Sequence, residues 1–313
     1  MGLVVLSLFD GISCGRVALE RANIPVDRYY ASEIEQSAMA ISAHHYPSII
    51  KIGSVTDVEY HDGVLHTAEG VFDVGPIDLL MGGSPCTDFS SIGYIKGMKS
   101  GTTEILSLAQ YLELKRSGAA FEGQSYLFWE YVRLLHEVNP QYFLLENVVM
   151  PKKWQQVIND AMGLSPIAIN SALLSAQNRP RLYWTNINGV EVPSDKHIML
   201  DNILDDAAPK NDVSKCQTVS KSLRKFVDKY GYIPEKFNAY NIKEITDKAC
   251  TLSRGSMVTS SCASLVFVPC EGGIHHIEDG IMDGVYPVKL EDGTYNIRKL
   301  SIREMERLQT LPD

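Results

Sequence analysis

The sequence predicts an α/β protein built on an open sheet, with a second and smaller domain after it. Three observations carry that reading. Short apolar runs alternate with helix-like segments from Leu3 to Asn186. The first apolar run passes through a glycine-bearing turn into a helix. After Asn186 the rhythm stops, and residues 187–300 become polar, with Pro, Asn, Asp and Lys throughout. A chain of 313 residues is long enough for one large domain and one smaller one.

Leu3 to Phe9 is apolar and reads as the first core strand. No basic segment precedes it, so a signal peptide is not expected. Asp10-Gly-Ile-Ser-Cys-Gly15 is a turn, and Arg16 to Asn23 reads as a helix. Strand, glycine turn and helix together aim free N–H groups at a ligand. The six-residue dinucleotide fingerprint is absent, so phosphate binding is not implied. A second strand, Arg28 to Ala31, ends at Ser32-Glu33. An acid about 20 residues after such a turn commonly takes ribose hydroxyls, although a lone surface acid reads the same way. Residues 35 to 45 read as a helix ending in His44-His45, a C-terminal charge feature. Lys51 to Val58 reads as a short third strand and turn.

The rest of the chain is organised around Met81-Gly-Gly-Ser-Pro-Cys-Thr-Asp-Phe89. The apolar run Ile77 to Met81 leads into it, Gly82 and Gly83 allow a sharp turn, and Pro85 fixes the backbone before Cys86. The thiol is then presented at the strand-end edge where open sheets bind ligands. Taken alone, Cys86 reads equally as a small buried hydrophobe. Two later stretches change that. Glu146-Asn147-Val148 follows an apolar strand at Tyr142 to Leu145, and Gln177-Asn-Arg-Pro-Arg181 precedes another. A thiol, a carboxyl and two guanidiniums beside strands of one sheet look like a nucleophile with its substrate clamp.

Residues 90 to 125 are polar and glycine-rich, with a helical piece near Glu104 to Lys115. They read as a mobile lid over the site or as a surface insertion. Ser125 to Glu137 is an amphipathic helix and 151 to 162 a further helix. Residues 167 to 174 and 181 to 187 read as a closing pair of strands. Ser301 to Leu308 reads as a helix with a capping box from Ser301 to Glu304.

Composition narrows the function classes. The chain is 45% hydrophobic and 21% charged, as in ordinary globular proteins, and no apolar run is long enough to cross a membrane. Cysteines at 14, 86, 216, 250, 262 and 270 form no CxxC pair, so neither a zinc site nor a disulfide framework is expected. A reducing cytoplasm fits best. The net charge of −9 argues against nucleic acid as a partner. From Lys215 to Lys243, however, seven Lys or Arg stand against two Asp or Glu, a local balance of 7 − 2 = +5. That cluster is either a solvated face or a grip on phosphates.

Five stretches, in order and spacing, resemble the motifs of the cytosine-5 DNA methyltransferases. They are Leu6-Ser-Leu-Phe-Asp-Gly11, Gly82-Gly-Ser-Pro-Cys86, Glu146-Asn-Val148, Gln177-Asn-Arg-Pro-Arg181 and Arg298-Lys-Leu-Ser-Ile-Arg-Glu-Met-Glu-Arg-Leu-Gln309. The N-terminal half looks most like the animal de novo subgroup, and the compact architecture looks bacterial or phage-like. The resemblance implies a Rossmann-like methyltransferase domain (1–186) that binds S-adenosylmethionine (SAM). It also implies a target-recognition domain (187–300), the helix of the penultimate family motif (301–313), and double-stranded DNA in the cleft. Phe9, Asp10, Gly11 and Ile12 would line the SAM site, Glu33 would hold the ribose hydroxyls, and Pro85 would pack near the cofactor. Ser54 stands where the family usually places an Asp that meets the adenine amino group, and would accept one hydrogen bond there. Cys86 would be the nucleophile, with Glu146, Arg179 and Arg181 holding the target cytosine. Ser90 and Lys96 would contact phosphate or the orphan base. Thr251 resembles the Thr of the family's Thr-Leu pair, and Arg224 belongs to the basic cluster. The family's last motif, a helix with an Asn that closes the SAM pocket, would follow Asp313. A C-terminal segment or a second chain completing that site is therefore expected.

The chemistry so implied is covalent. A thiolate adds to C6 of a flipped cytosine, C5 becomes nucleophilic, and a buried, protonated Glu146 would stabilise the ring through N3. Two rival readings stand beside it: methylation of tRNA cytosine on the same framework, and a non-catalytic or split-enzyme subunit.

Overall fold

The computed structural model describes residues 2–85, 98–204, 229–230, 236–238, 243–246, 248–249, 264–269, 286–290, 293–299 and 302–310. The chain divides into two units. The first comprises Met1–Ile169 and Arg181–Val192, and the second Asn170–Pro180 and Pro193–Asp313.

In the first unit, β1 (Leu3–Leu8) turns into α1 (Cys14–Arg21), followed by β2 (Val26–Ser32), α2 (Gln36–His45) and β3 (Ile50–Lys51). A one-turn 3₁₀ helix, Val55–Asp57, then leads to a small antiparallel meander of β4 (Glu59–His61), β5 (Val64–Thr67) and β6 (Gly70–Asp73). Next come β7 (Leu79–Gly82), the hairpin β8 (Lys99–Ser100) and β9 (Thr103–Glu104), α3 (Leu108–Arg116) and α4 (Phe128–Val138). The unit closes with β10 (Tyr142–Val148), α5 (Lys152–Met162), β11 (Ile167–Asn170) and β12 (Pro180–Thr185).

The main sheet runs β3-β2-β1-β7-β10-β12-β11. Strands β3, β2, β1, β7 and β10 pair in parallel, and β12 lies antiparallel to β10. The order reverses beside β1: β2 and β3 extend to one side, β7 and β10 to the other. That switch point is where an open sheet leaves a crevice at its carboxyl edge. The apolar runs are continuous because both faces are covered. Leu6, Leu8 and Leu80 pack into one core layer with Phe128, Trp129 and Leu145. Val5, Leu79 and Met81, one residue out of phase, pack into the other with Leu19 and Tyr29. Helix α4 ends on Asn139 and α5 on Gly163, each in the left-handed conformation (φ 43° and 70°) that stops a helix cleanly.

The sequence reading placed the helices of this unit within a few residues of their positions. The β4–β6 meander was not anticipated, since its strands are short and polar. Of residues 90–125, those from 98 onward form the β8–β9 hairpin and α3, and 86–97 lie outside the described residues.

The second unit contains a five-stranded sheet of order β14-β13-β15-β17-β16, from β13 (Lys236–Asn238), β14 (Lys243–Glu244), β15 (Ser264–Pro269), β16 (Tyr286–Leu290) and β17 (Gly293–Lys299). Helix α6 is Ile302–Leu308. A small core of Ala176, Leu200, Ile203, Ile245, Ala249 and Leu308 joins α6 to the excursion between β11 and β12. The excursion is held there by Asn178 N–H donating to Ala249 O and by Ala249 N–H donating to Ala176 O, each at 2.8 Å. Gln309 Nε2 donates to Gln177 Oε1 at 3.1 Å. Among the described residues, no helix is long and apolar enough to cross a membrane.

Candidate active site

The carboxyl edge of the first unit's sheet gathers most of the described candidates. At the end of β1 the chain makes an unusual turn. Phe9, Gly11 and Ser13 all have positive φ (56°, 61° and 64°), a region that non-glycine residues rarely adopt. The turn is held from within by Asp10. Its Oδ1 accepts from Ser7 Oγ at 2.6 Å and from Tyr29 Oη at 2.7 Å. Its Oδ2 accepts from Ser13 Oγ at 2.5 Å. Ser13 is also 2.6 Å from Ser42 Oγ of α2. Since Ser13 spends its proton on Asp10, Ser42 is the donor in that pair. The Asp10 side chain is thus turned into the protein. Burial pushes its pKa up from the usual 3.8, against the three hydroxyls that pull it down. Tyr29 is pushed up as well, by burial and by the Asp10 charge.

Gly11 lies at the mouth of this turn, and a Cβ added there would meet nothing within 4 Å. Its N–H donates to Glu33 Oε2 at 2.8 Å. Glu33 Oε1 accepts from the N–H groups of Ile34 and Glu35 at 2.7 and 2.8 Å. A carboxylate has about four acceptor positions. Three are filled, which leaves one on Oε2, beside the open space at Gly11. A free carboxylate acceptor beside open space can take a hydroxyl donor of a ligand.

The next strand end continues the same edge. Gly53 O accepts from Ser32 Oγ at 2.9 Å, which ties β3's exit to that of β2. Ser54 caps the following 3₁₀ turn, accepting weakly from Thr56 N–H at 3.3 Å and lying 2.7 Å from Thr56 Oγ1. Thr56 Oγ1 donates to Asp57 Oδ1 at 3.2 Å. With that proton committed, the Ser54 hydroxyl donates to Thr56, and its oxygen keeps acceptor capacity beyond the Thr56 N–H.

On the other side of the switch point, β7 ends at Gly82 and the chain runs through Gly83-Ser84-Pro85. Asn147, almost fully buried, binds this loop: its Nδ2 donates to Ser84 Oγ at 3.0 Å and to Ser84 O at 3.3 Å. Asn147 Oδ1 accepts from Val148 N–H at 2.8 Å. The sequence reading assigned Asn147 no role. Its position in Glu146-Asn147-Val148 was the available signal, because alternation on a strand puts it on the face opposite Glu146. A Cβ on Gly83 would come within 3.0 Å of Glu146 Oε2, so a larger residue there would push the carboxyl aside. Arg181 Nε lies 2.7 Å from Glu146 Oε1. The burial expected for Glu146 is only partial: its side chain is 31% exposed. The bare glycine beside it leaves the carboxyl open on that side.

Arg179 belongs to the second unit's excursion. Its N–H donates to Asn170 Oδ1 at 2.9 Å and its carbonyl accepts from Ser171 N–H at 3.1 Å. Lys236, one cation of the basic cluster, is spent on Asp201, with Nζ 2.7 and 2.6 Å from the two carboxylate oxygens. Cys86, Ser90, Lys96, Arg224 and Thr251 lie outside the described residues. Pro85 is half-buried at the end of the described loop, and Phe9 packs against the main core.

Residues 3–313 match the family model described as C-5 cytosine-specific DNA methylase. The chain belongs to that family. Within this C-5 cytosine methylase family, it is 24% identical over 213 residues to the orphan methyltransferase M.Rho11sI of Bacillus phage rho11s. That alignment covers 63% of this chain and 35% of the phage protein. It is 27% identical to the orphan methyltransferase M.SPRI of Bacillus phage SPR, over 59% of this chain and 38% of that one. With the type II methyltransferase M.AluI of Cellulosimicrobium cellulans it shares 32% over 46% of this chain and 22% of the other. The chain thus spans well under half the length of these three relatives. The family assignment agrees with the mostly parallel α/β sheet and accounts for the five motifs together.

Proposed function

We propose that this C-5 cytosine methylase transfers a methyl group from SAM to C5 of a cytosine flipped out of duplex DNA, with Cys86 as the nucleophile. The observation that carries the proposal is the Glu146–Arg181 pair at 2.7 Å, pressed against the glycine that precedes Ser84, Pro85 and Cys86.

Phe9, Gly11, Ile12, Glu33, Ser54 and Pro85 would hold the cofactor. Glu33 would accept a ribose hydroxyl on its remaining Oε2 position, and Ser54 would accept from the adenine amino group. Asp10 would shape the turn from inside. When bound, SAM supplies an electrophilic methyl to a C5 carbon made nucleophilic by the protein. Cys86 makes it so: the thiolate forms a bond to C6, the 5,6 π pair shifts to the C4–C5 bond and the C4–N3 π pair moves onto N3, which leaves C5 as the nucleophilic end of an enamine. A free thiol has a pKa of about 8.5, so its surroundings must favour the thiolate. Glu146 would meet N3, where a proton shared with the carboxyl offsets the growing charge. Arg181 fixes the carboxyl's direction, and Arg179 would hold O2. Loss of the C5 proton to a base, which water can serve as, then expels the thiol.

The target-recognition role falls to the second unit. Thr251 and Arg224 would contribute to it, while Ser90 and Lys96 would contact phosphate or the orphan base. A duplex hides C6 within its stack, so flipping is required.

The test is transfer of labelled methyl from SAM to cytosine-rich duplex DNA, with Cys86→Ala as control and tRNA as the competing substrate. Label at C5 that disappears in the control supports the proposal. Label that goes only to tRNA, or survives the loss of Cys86, would sink it.

A further inference from the structure

A buried charge cluster lies behind the Ser54 turn, and no step above uses it. Glu130 of α4 is fully buried. Its Oε1 accepts from the Tyr111 hydroxyl and from Lys115 Nζ, the latter at 2.5 Å, and its Oε2 accepts from Arg133 Nε at 2.7 Å. Arg133 also donates to Glu137 Oε1 at 2.6 Å. Two cations and two carboxylates balance. Both cations then reach past the cluster to one short piece of main chain. Lys115 Nζ donates to Thr56 O at 3.2 Å, and Arg133 Nη2 donates to Val58 O at 2.7 Å and Val55 O at 3.4 Å. These three carbonyls belong to the turn that begins at Ser54.

The turn needs such support. Strand β3 stands at the sheet edge and pairs with β2 through only two positions, Tyr30 with Ile50 and Ala31 with Lys51. Beyond those pairs Ile52 N–H donates to Ala31 O at 3.0 Å and Ser32 Oγ to Gly53 O at 2.9 Å, and the strand pairing goes no further. A buried ion cluster is weak evidence of stability, since apolar packing of equal volume often does as well. What it adds is direction: donors fixed on a rigid carboxylate hold their acceptors in one place.

We propose that Lys115 and Arg133, held on Glu130, are positioning residues for the turn that receives the adenine of the cofactor. This rests on the reading of that edge as the SAM site. The cluster then acts on cofactor affinity through the Ser54 oxygen and leaves the cytosine side unchanged.

The experiment uses the full chain and S-adenosylhomocysteine, measured by calorimetry, beside KM for SAM, kcat and the urea midpoint. Lys115→Met is the main variant, because its side chain is 36% exposed and the stem can stay in place. Affinity should fall about tenfold, as for loss of one charge-assisted hydrogen bond. KM for SAM should rise in parallel, kcat should stay within about twofold, and Lys115→Arg should restore binding. Lys115→Gln serves as a second variant should Met disturb folding. Unchanged affinity in a folded variant overturns the inference while the cofactor reading stands. So does a loss seen equally in kcat and not rescued by Arg. A wild-type chain that binds no S-adenosylhomocysteine overturns the cofactor reading and this inference together.

Discussion

Arg181 and Glu146 meet diagonally across an antiparallel pair. Arg181 stands opposite Val148, and Glu146 opposite Tyr183, so the guanidinium reaches back two residues along β10 to bring Nε within 2.7 Å of the carboxylate. Residues two apart share a face, and the pair is therefore fixed by strand register. Lysine at 181 would keep the charge and lose the planar fork. Single-turnover methyl transfer should slow by roughly 100- to 1,000-fold, the range for losing one oriented polar group at a reacting centre. Binding of S-adenosylhomocysteine should be unaffected, since that edge lies across the switch point. A near-wild-type rate in Arg181→Lys would remove Arg181 from the clamp.

The adjacent glycines should fail in different ways. A Cβ on Gly82 would lie 2.6 Å from the Leu8 carbonyl on β1, a strand that cannot yield. Gly82→Ala should cost about 1–3 kcal/mol of stability, as overpacking does. On Gly83 the close atom is the end of the Glu146 side chain, which can swing away. Gly83→Ala should fold normally and lose methyl transfer. Urea midpoints and rates measured on both variants decide it; equal stability losses would contradict the contrast.

Asn147 braces the loop at Ser84. Asn147→Leu removes both donors to Ser84 and leaves a buried carbonyl unpaired, at a cost of about 1–3 kcal/mol. The rate at saturating substrate should fall further than SAM binding does, because the loop leads to Cys86. If the variant is destabilised yet turns over at the wild-type rate, the brace is structural only.

Asp10 should leave a mark on the pH dependence of stability. Burial raises its folded-state pKa above the usual 3.8, so the folded protein holds this proton more tightly than the unfolded chain. Its contribution is fully present below about pH 3.8 and is lost as pH rises through the raised folded value. Asp10→Asn imitates the neutral form. Relative to wild type, it should gain stability as pH rises from the acid range to neutrality. Parallel stability curves for the two proteins across that range would refute the assignment.

Much of the first unit was legible because its strands are buried on both faces. The runs at Leu3, Ile77 and Tyr142 are almost wholly apolar, broken by Ser7 and Asp78, and each stops at the sheet's carboxyl edge. Glu146 stood out because it follows such a run, and Glu33 because it ends the second strand about 20 residues after the glycine turn. The Glu130 cluster did not. Glu130, Arg133 and Glu137 fall at i, i+3 and i+7 of an amphipathic helix, a spacing that reads as surface ion pairing. They are shielded because the 55–58 turn and α3 close over them, a long-range event that no local spacing records. The orientation of Asp10 was equally out of reach. Only the hydroxyls of Ser7, Ser13 and Tyr29 around its carboxyl reveal that the side chain turns inward.

The excursion from Asn170 to Pro180 separates two kinds of sequence change. It leaves the sheet after β11 and rejoins it at β12, one residue before Arg181. Residues gained or lost ahead of Ala176 leave the phase of β12, and the spacing from Ala176 to Arg181, untouched. A single residue gained or lost inside β12 ahead of Arg181 would turn every later side chain to the opposite face and part the guanidinium from Glu146. Length and phase are thereby uncoupled: the first can change ahead of Ala176, while the second keeps the guanidinium on Glu146.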